Sequence, residues 1–300
     1  MGIRFGRSFR SVAGHPVDFV AHTIRAFRAN QGLLLAGAVA YYALLSIVPL
    51  LILVVIALSH IVERQMLLET LGRLLEWLVP GQAGALVREL SNFVTHRSRV
   101  GWLLFVTMVF FSSLAFTVLE NAMSLIFVHR VVDRGRHRIV SAILPYCYCL
   151  SLGLGVLIVT LVSTGLNAVG ATSIDVFGWR LSLSGVSRGL LYLFGLAGEI
   201  FVLTSVYLVI PVGRPTIKHA LFGAITAALL WEVTRHVLVW YFATLSQVSV
   251  VYGSLTTAII VLFSLEALAT LLLFGAQLIA EYERLIVDAH LKEPSPFELG

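Results

Sequence analysis

Four glutamates, Glu120, Glu199, Glu232 and Glu266, fall inside apolar runs long enough to cross a bilayer. Arg235 follows Glu232 by three residues and His236 by four, the spacing at which side chains meet on one helix face. A carboxylate at membrane depth is costly and persists by facing a protein interior, an opposite charge or a watery cavity. The chemistry open to such a set is charge pairing, proton or ion handling, or contact with the polar part of a transported substrate. For Glu232 and Arg235 two readings stand side by side: a neutralised pair that lets its helix cross, or a contact for substrate or ion. Glu199 has no local cation, because Arg188 and Arg214 lie toward opposite ends of its run. It must be neutral, pair across helices with a group such as Arg235, or face water. Glu266 is equally deep, between Leu265 and Ala267, whereas Glu120, followed by Asn121, lies nearer Arg130 and solvent and reads as structural. These six residues are the candidate polar pathway.

The elements that must position them are helices in a membrane. The chain is 58% hydrophobic and 12% charged, outside the range of an ordinary soluble domain. A spanning helix needs about 20 largely apolar residues. Six runs qualify: Leu33–Ile61, Val100–Val128, Ile139–Gly165, Gly189–Ile210, Ile217–Ala243 and Ser254–Ala280. The expected fold is therefore an all-α integral membrane protein of six transmembrane helices. Residues 1–32 form a basic amphipathic segment and residues 33–284 the membrane domain, with an amphipathic loop over 62–98; residues 285–300 form a tail. The first run is too long for a signal-peptide core, so it is read as the first span and no cleaved leader is expected. Cys147 and Cys149, two apart in an expected helix, point to different faces and are read as small apolar residues.

The net charge of +5 does not call for nucleic acid. Thirteen Lys and Arg residues gather on the side of the N-terminus, the second and fourth connections and the C-terminus, against seven on the other side. The positive-inside rule then puts both termini in the cytoplasm, with basic loops facing anionic headgroups. The nine histidines are scattered over both sides and several depths, and no H-E-x-x-H spacing occurs, so neither a metal site nor a cofactor is expected.

Local patterns add detail. Val17, Val20, Ile24 and Phe27 share one side of a basic segment over His15–Arg28, as in a helix lying at an interface. Pro49 sits in mid-span and kinks the first helix; Ser46 is placed to help satisfy the carbonyl it frees. In the first loop, Leu67, Leu71, Leu74 and Leu78 form an apolar stripe, Pro80-Gly81 breaks the helix, and Leu86, Leu90 and Phe93 continue it. Two short helices on the outer face are expected there. The third span is rich in small residues (Gly153, Gly155, Ser163, Gly165), and Gly223 with Ala227 makes a small-xxx-small pair in the fifth. Three helices per half, with Glu120 and Glu232 in similar places, would also suit an inverted repeat, although the two spans share little sequence.

Three stretches together resemble the YihY/BrkB family of bacterial inner-membrane proteins, sometimes labelled ribonuclease BN. They are Ala40-Tyr41-Tyr42-Ala43-Leu44-Leu45-Ser46 with Pro49; Leu230-Trp231-Glu232; and Tyr252-Gly253-Ser254-Leu255, leading to Phe274-Gly275-Ala276-Gln277-Leu278. The resemblance covers roughly residues 20 to 284 and implies a six-helix protein of the bacterial cytoplasmic membrane. The family usually has Gly-Ala-Glu-Leu where this chain has Gln277, and tends toward aromatic residues where Glu266 stands.

The leading functional expectation is a multi-pass transporter or exporter of a lipid-like or amphipathic substrate. The alternative is a non-catalytic scaffold or envelope-assembly factor, with homo-oligomers or envelope proteins as partners. No enzymatic activity is expected. The nuclease suggested by the family label lacks grouped acids and histidines for metal-activated water and any soluble domain to hold RNA.

Overall fold

The computed structural model describes residues 16–58, 63–79, 81–95, 101–127, 173–176, 179–182, 184–211, 215–244 and 255–291, with Leu154, Ile158 and Val162. Its helices are α1 (Pro16–Ala29), α2 (Gly32–Leu58), α3 (Arg64–Leu78), α4 (Ala83–Thr95), α5 (Gly101–Ile126), α6 (Ser184–Val209), α7 (Ile217–Thr244) and α8 (Leu255–Leu291). Five are long and apolar enough to cross a membrane: α2, α5, α6, α7 and α8. Apart from Leu154, Ile158 and Val162, the expected third span, with its small residues and both cysteines, lies outside the described residues, as do Tyr252, Gly253 and Ser254.

One element departs from the all-helical expectation. Strands β1 (Ser173–Val176) and β2 (Trp179–Ser182) pair antiparallel just before α6, with Ser173 opposite Ser182 and Val176 opposite Trp179. Ile174, Val176, Trp179 and Leu181 are strand-favouring residues, and only Phe177-Gly178 separates the strands. That signal was present but too short to compete with the long apolar runs around it.

The bundle is organised about α8, which packs against α1, α2, α5 and α7. From Gly275 to Glu283 every residue of α8 is buried, so this part of the helix is covered on all sides. Close approach depends on small residues. A Cβ on Gly275 would overlap the Tyr207 hydroxyl of α6 and lie 3.2 Å from Ala227 Cβ of α7. A Cβ on Gly223 would lie 3.1 Å from the Gly275 carbonyl oxygen and run into Ile279. The Gly223–Ala227 pair read from the sequence therefore marks the α7–α8 contact, and Tyr207 joins α6 to it by donating to the Leu272 carbonyl at 2.8 Å. The last helix also runs to Leu291, past the expected boundary at 284.

Burial on α8 includes polar groups, and these fasten α1. Asn30 Nδ2 donates to Gln277 Oε1 at 2.9 Å, and Gln277 Nε2 donates to Glu281 Oε1 at 2.9 Å. Glu281 also takes Arg284 at 3.1 Å and faces His22 of α1 at 3.2 Å. On the neighbouring face, His219 of α7 sits 2.8 Å from Glu283. Helix α1 is held beside this network by Phe19, Thr23 and Phe27, one turn apart along its length, which are buried, with Phe27 edge-on to Phe274. Of the stripe expected there, only Phe27 is buried; Val17, Val20 and Ile24 are exposed. The segment thus has two apolar faces, one spent on protein and one left outward.

The expectation for Ser46 needs correcting. Helix α2 passes through Pro49, and Ser46 donates to the Ala43 carbonyl at 3.0 Å instead of to the Leu45 carbonyl that Pro49 leaves without its amide. Beyond that point, Leu67, Leu71 and Leu75 of α3 and Ala83 of α4 bury against Leu51, Ile52, Val55 and Leu58 of α2. Gly81, at φ 78°, makes the turn between α3 and α4, and its amide donates to Glu76 Oε1 at 2.8 Å. Gln82 Oε1 accepts from Thr257 at 2.9 Å, tying the hairpin to the start of α8. The leucine stripe read from the sequence therefore packs on the bundle itself.

Two outcomes follow. Gly275→Val drives two methyls into Tyr207 and Ala227 and lowers stability by about 1–3 kcal/mol, seen as a lower melting temperature in detergent. Glu281→Ala strands Gln277 and Arg284 and costs about 1–3 kcal/mol, seen as faster amide exchange concentrated in α1.

Candidate functional site

Helices α6 and α7 pack side by side, and their shared seam collects the ionisable groups. A run of apolar residues broken by single polar ones forms both helices: Tyr192 and Glu199 in α6, Glu232 and Arg235 in α7. Pro211 and Pro215 bracket the connection between them, and α7 restarts after Thr216, whose carbonyl accepts from His219 at 2.9 Å and Ala220 at 3.0 Å.

Glu232 is the anchor of the seam. Its Oε1 accepts from Arg235 Nη2 at 2.5 Å and from the Tyr192 hydroxyl at 2.7 Å, so one carboxylate oxygen ties α7 internally and bridges to α6. Both members of the ion pair are largely covered, at 19% and 21% exposure of their side chains. His236 adds a further contact: its Nδ1 lies 2.7 Å from the Glu232 main-chain carbonyl. A carbonyl only accepts, so this nitrogen carries the hydrogen and Nε2 is left as the outward-facing atom. Arg235 uses only part of its donor fork, and its Nε–H is buried without an acceptor.

Glu199 completes the set. It is 9% exposed and, among the described residues, neither carboxylate oxygen has a hydrogen-bond partner and the charges acting on it are those of Glu232 and Arg235 across the seam. The sequence left open whether Glu199 meets Arg235 over the bundle. The structure brings the two within electrostatic reach without a bond, because the guanidinium is turned to Glu232.

The other candidates lie elsewhere. Glu266 of α8 is half-buried toward the first span, its Oε1 3.7 Å from where a Cβ on Gly37 would stand. Glu120 is half-buried near the end of α5 and Asn121 is exposed. Tyr41 is exposed and stacks edge-on with the half-buried Tyr42 at 5.2 Å. Four intramembrane acids are thus three separate environments. Sequence reasoning missed Tyr192, whose only signal was its position seven residues, two helical turns, before Glu199. It also missed the burial of Gln277, Glu281 and Glu283. Among the described residues, no group of three or more His, Cys, Asp or Glu is placed to hold a metal ion.

A family model described as Virulence factor BrkB matches residues 23–296. A UPF0761 membrane protein of Azotobacter vinelandii is 26% identical over 265 residues, covering 88% of this chain and 62% of the relative. One from Alkalilimnicola ehrlichii is 28% identical, covering 87% of this chain and 57% of its own length. One from Aggregatibacter aphrophilus is 25% identical, covering 85% of this chain and 88% of its own length. The chain therefore spans less than two thirds of the length of the first two. No solved structure matches. The matched region runs from within α1 through all five spans to beyond α8, so this membrane protein belongs to the Virulence factor BrkB family.

Proposed function

We propose that this protein is a non-enzymatic transporter or exporter of an amphipathic, lipid-like substrate, with the α6–α7 seam as its polar pathway. The observation that carries the reading is the convergence of Tyr192, Glu199, Glu232 and Arg235 between two apolar helices, with Glu199 and one Arg235 donor unpartnered. A purely structural pair would be closed on itself, since a buried polar group without a partner costs about 1–3 kcal/mol. A passing polar headgroup supplies what the seam lacks, and the exposed Leu229, Val233, Val237 and Trp240 along α7 offer an apolar track for its tail. The excess of Lys and Arg on one side supports both termini facing the cytoplasm of a bacterial inner membrane, which puts the α3–α4 hairpin on the outer side.

Purified protein in liposomes, assayed for movement of a fluorescent phospholipid and of an amphipathic cationic dye, tests this. The wild type moves one of the two. Glu232→Gln and Arg235→Gln each slow that movement by about tenfold or more, the loss expected for one charge-assisted hydrogen bond, at unchanged elution and helicity. Movement of neither probe contradicts the substrate class, and unchanged flux in folded variants removes these residues from the pathway.

A further inference from the structure

Building on the transport reading, we propose that Glu199 is the binding site for a single monovalent cation, a proton or a sodium ion, exchanged during the cycle. Glu199 lies within the apolar stretch Tyr192–Val209, about 10 Å from one end and about 15 Å from the other at a rise of about 1.5 Å per residue. It is nine-tenths buried, and neither of its oxygens has a hydrogen-bond partner among the described residues. Buried side-chain polar atoms are mostly hydrogen-bonded, so a carboxyl group with neither oxygen bonded calls for an explanation such as an ion or a proton.

Charge arithmetic selects the ligand. Glu232 and Arg235 cancel, which leaves the Glu199 carboxylate as one uncompensated negative charge among the described residues of the seam. One positive charge closes the account, whereas an anion would meet two carboxylates and a divalent ion would leave the seam positive. The groups that face Glu199 are Glu232 and Arg235 from α7, with Tyr192 two turns away on its own helix. Access exists from the same side: Gly195, one turn before Glu199, is exposed, and a Cβ on it would meet nothing within 4 Å.

The arrangement also supplies a means of release. One guanidinium stands within reach of two acids and is held to Glu232, with the help of Tyr192. While it stays there, Glu199 needs its cation; if a substrate headgroup displaces Arg235 toward Glu199, the cation is expelled. For a proton, the O–H bond at Glu199 breaks and the proton passes to water, with no oxidant or other reactant consumed.

The test uses the full chain in lipid nanodiscs and dicyclohexylcarbodiimide, which attacks neutral carboxyl groups in apolar surroundings, with sites read by peptide mass spectrometry. The wild type gives an adduct at Glu199 that declines as pH rises, and none at Glu232. Arg235→Gln adds a second adduct at Glu232. Protection by sodium but not by choline identifies sodium as the ion, and indifference to sodium identifies the proton. No adduct at Glu199, or labelling that responds to neither pH nor sodium, overturns the proposal, even if flux still depends on Glu232 and Arg235. An adduct with the expected behaviour in a protein that moves no amphipathic probe keeps the cation site and rejects the transport reading.

Discussion

A helix enclosed by protein on every side must satisfy all its polar groups from within, and α8 imposes that condition on the rest of the fold. Gly275–Glu283 has no outward face, yet it carries Gln277, Glu281 and Glu283. Asn30, His22, Arg284 and His219 answer Gln277, Glu281 and one oxygen of Glu283. Their positions fix the rotation of α8, the docking of α1 and the start of α7 together. Packing on one side and hydrogen bonding on the other leave little freedom: Gly275 admits Tyr207 only if α8 keeps this rotation.

The α6–α7 seam obeys the opposite rule. It lies at the edge of the bundle, where α6 turns Tyr192, Leu193, Phe201 and Val202 outward. There the polar groups are bonded only in part. Glu232 is tied twice, while Glu199 takes no hydrogen bond from any described residue. The two polar sets therefore differ in kind. The set on α8 bonds Asn30, Gln277, Glu281 and Arg284 to one another and fastens helices, whereas the seam leaves both Glu199 oxygens and one Arg235 donor without a hydrogen bond among the described residues.

Much of this was legible in the residues. Hydropathy located every described span, because about 20 apolar residues have few other uses. The Glu232–Arg235 pair followed from helix periodicity, and the Gly223–Ala227 contact from side-chain size. What periodicity could not say was which face meets protein and which is left outward. Val17, Val20 and Ile24 read as the apolar side of a helix at an interface and do stay outward, but the periodicity did not show that Phe19, Thr23 and Phe27 pack on the bundle. Likewise, Glu266 and Glu199 look alike as lone acids in apolar runs, and only the assembly separates them. Ser46 shows the same limit at short range: its proximity to Pro49 was evident, but its rotamer chose a different carbonyl. The hairpin ahead of α6 was short enough for neighbouring hydropathy to mask it.

Under the proposed cation site, Glu199 is retained for function and not for the fold. An unpartnered buried carboxyl group that serves only function should weaken the bundle, and its removal should then strengthen it. The direct measurement is the melting temperature of Glu199→Leu beside the wild type in the same detergent. A higher melting temperature for the variant is the predicted result. A lower one would show that Glu199 holds the helices together, and would contradict the account.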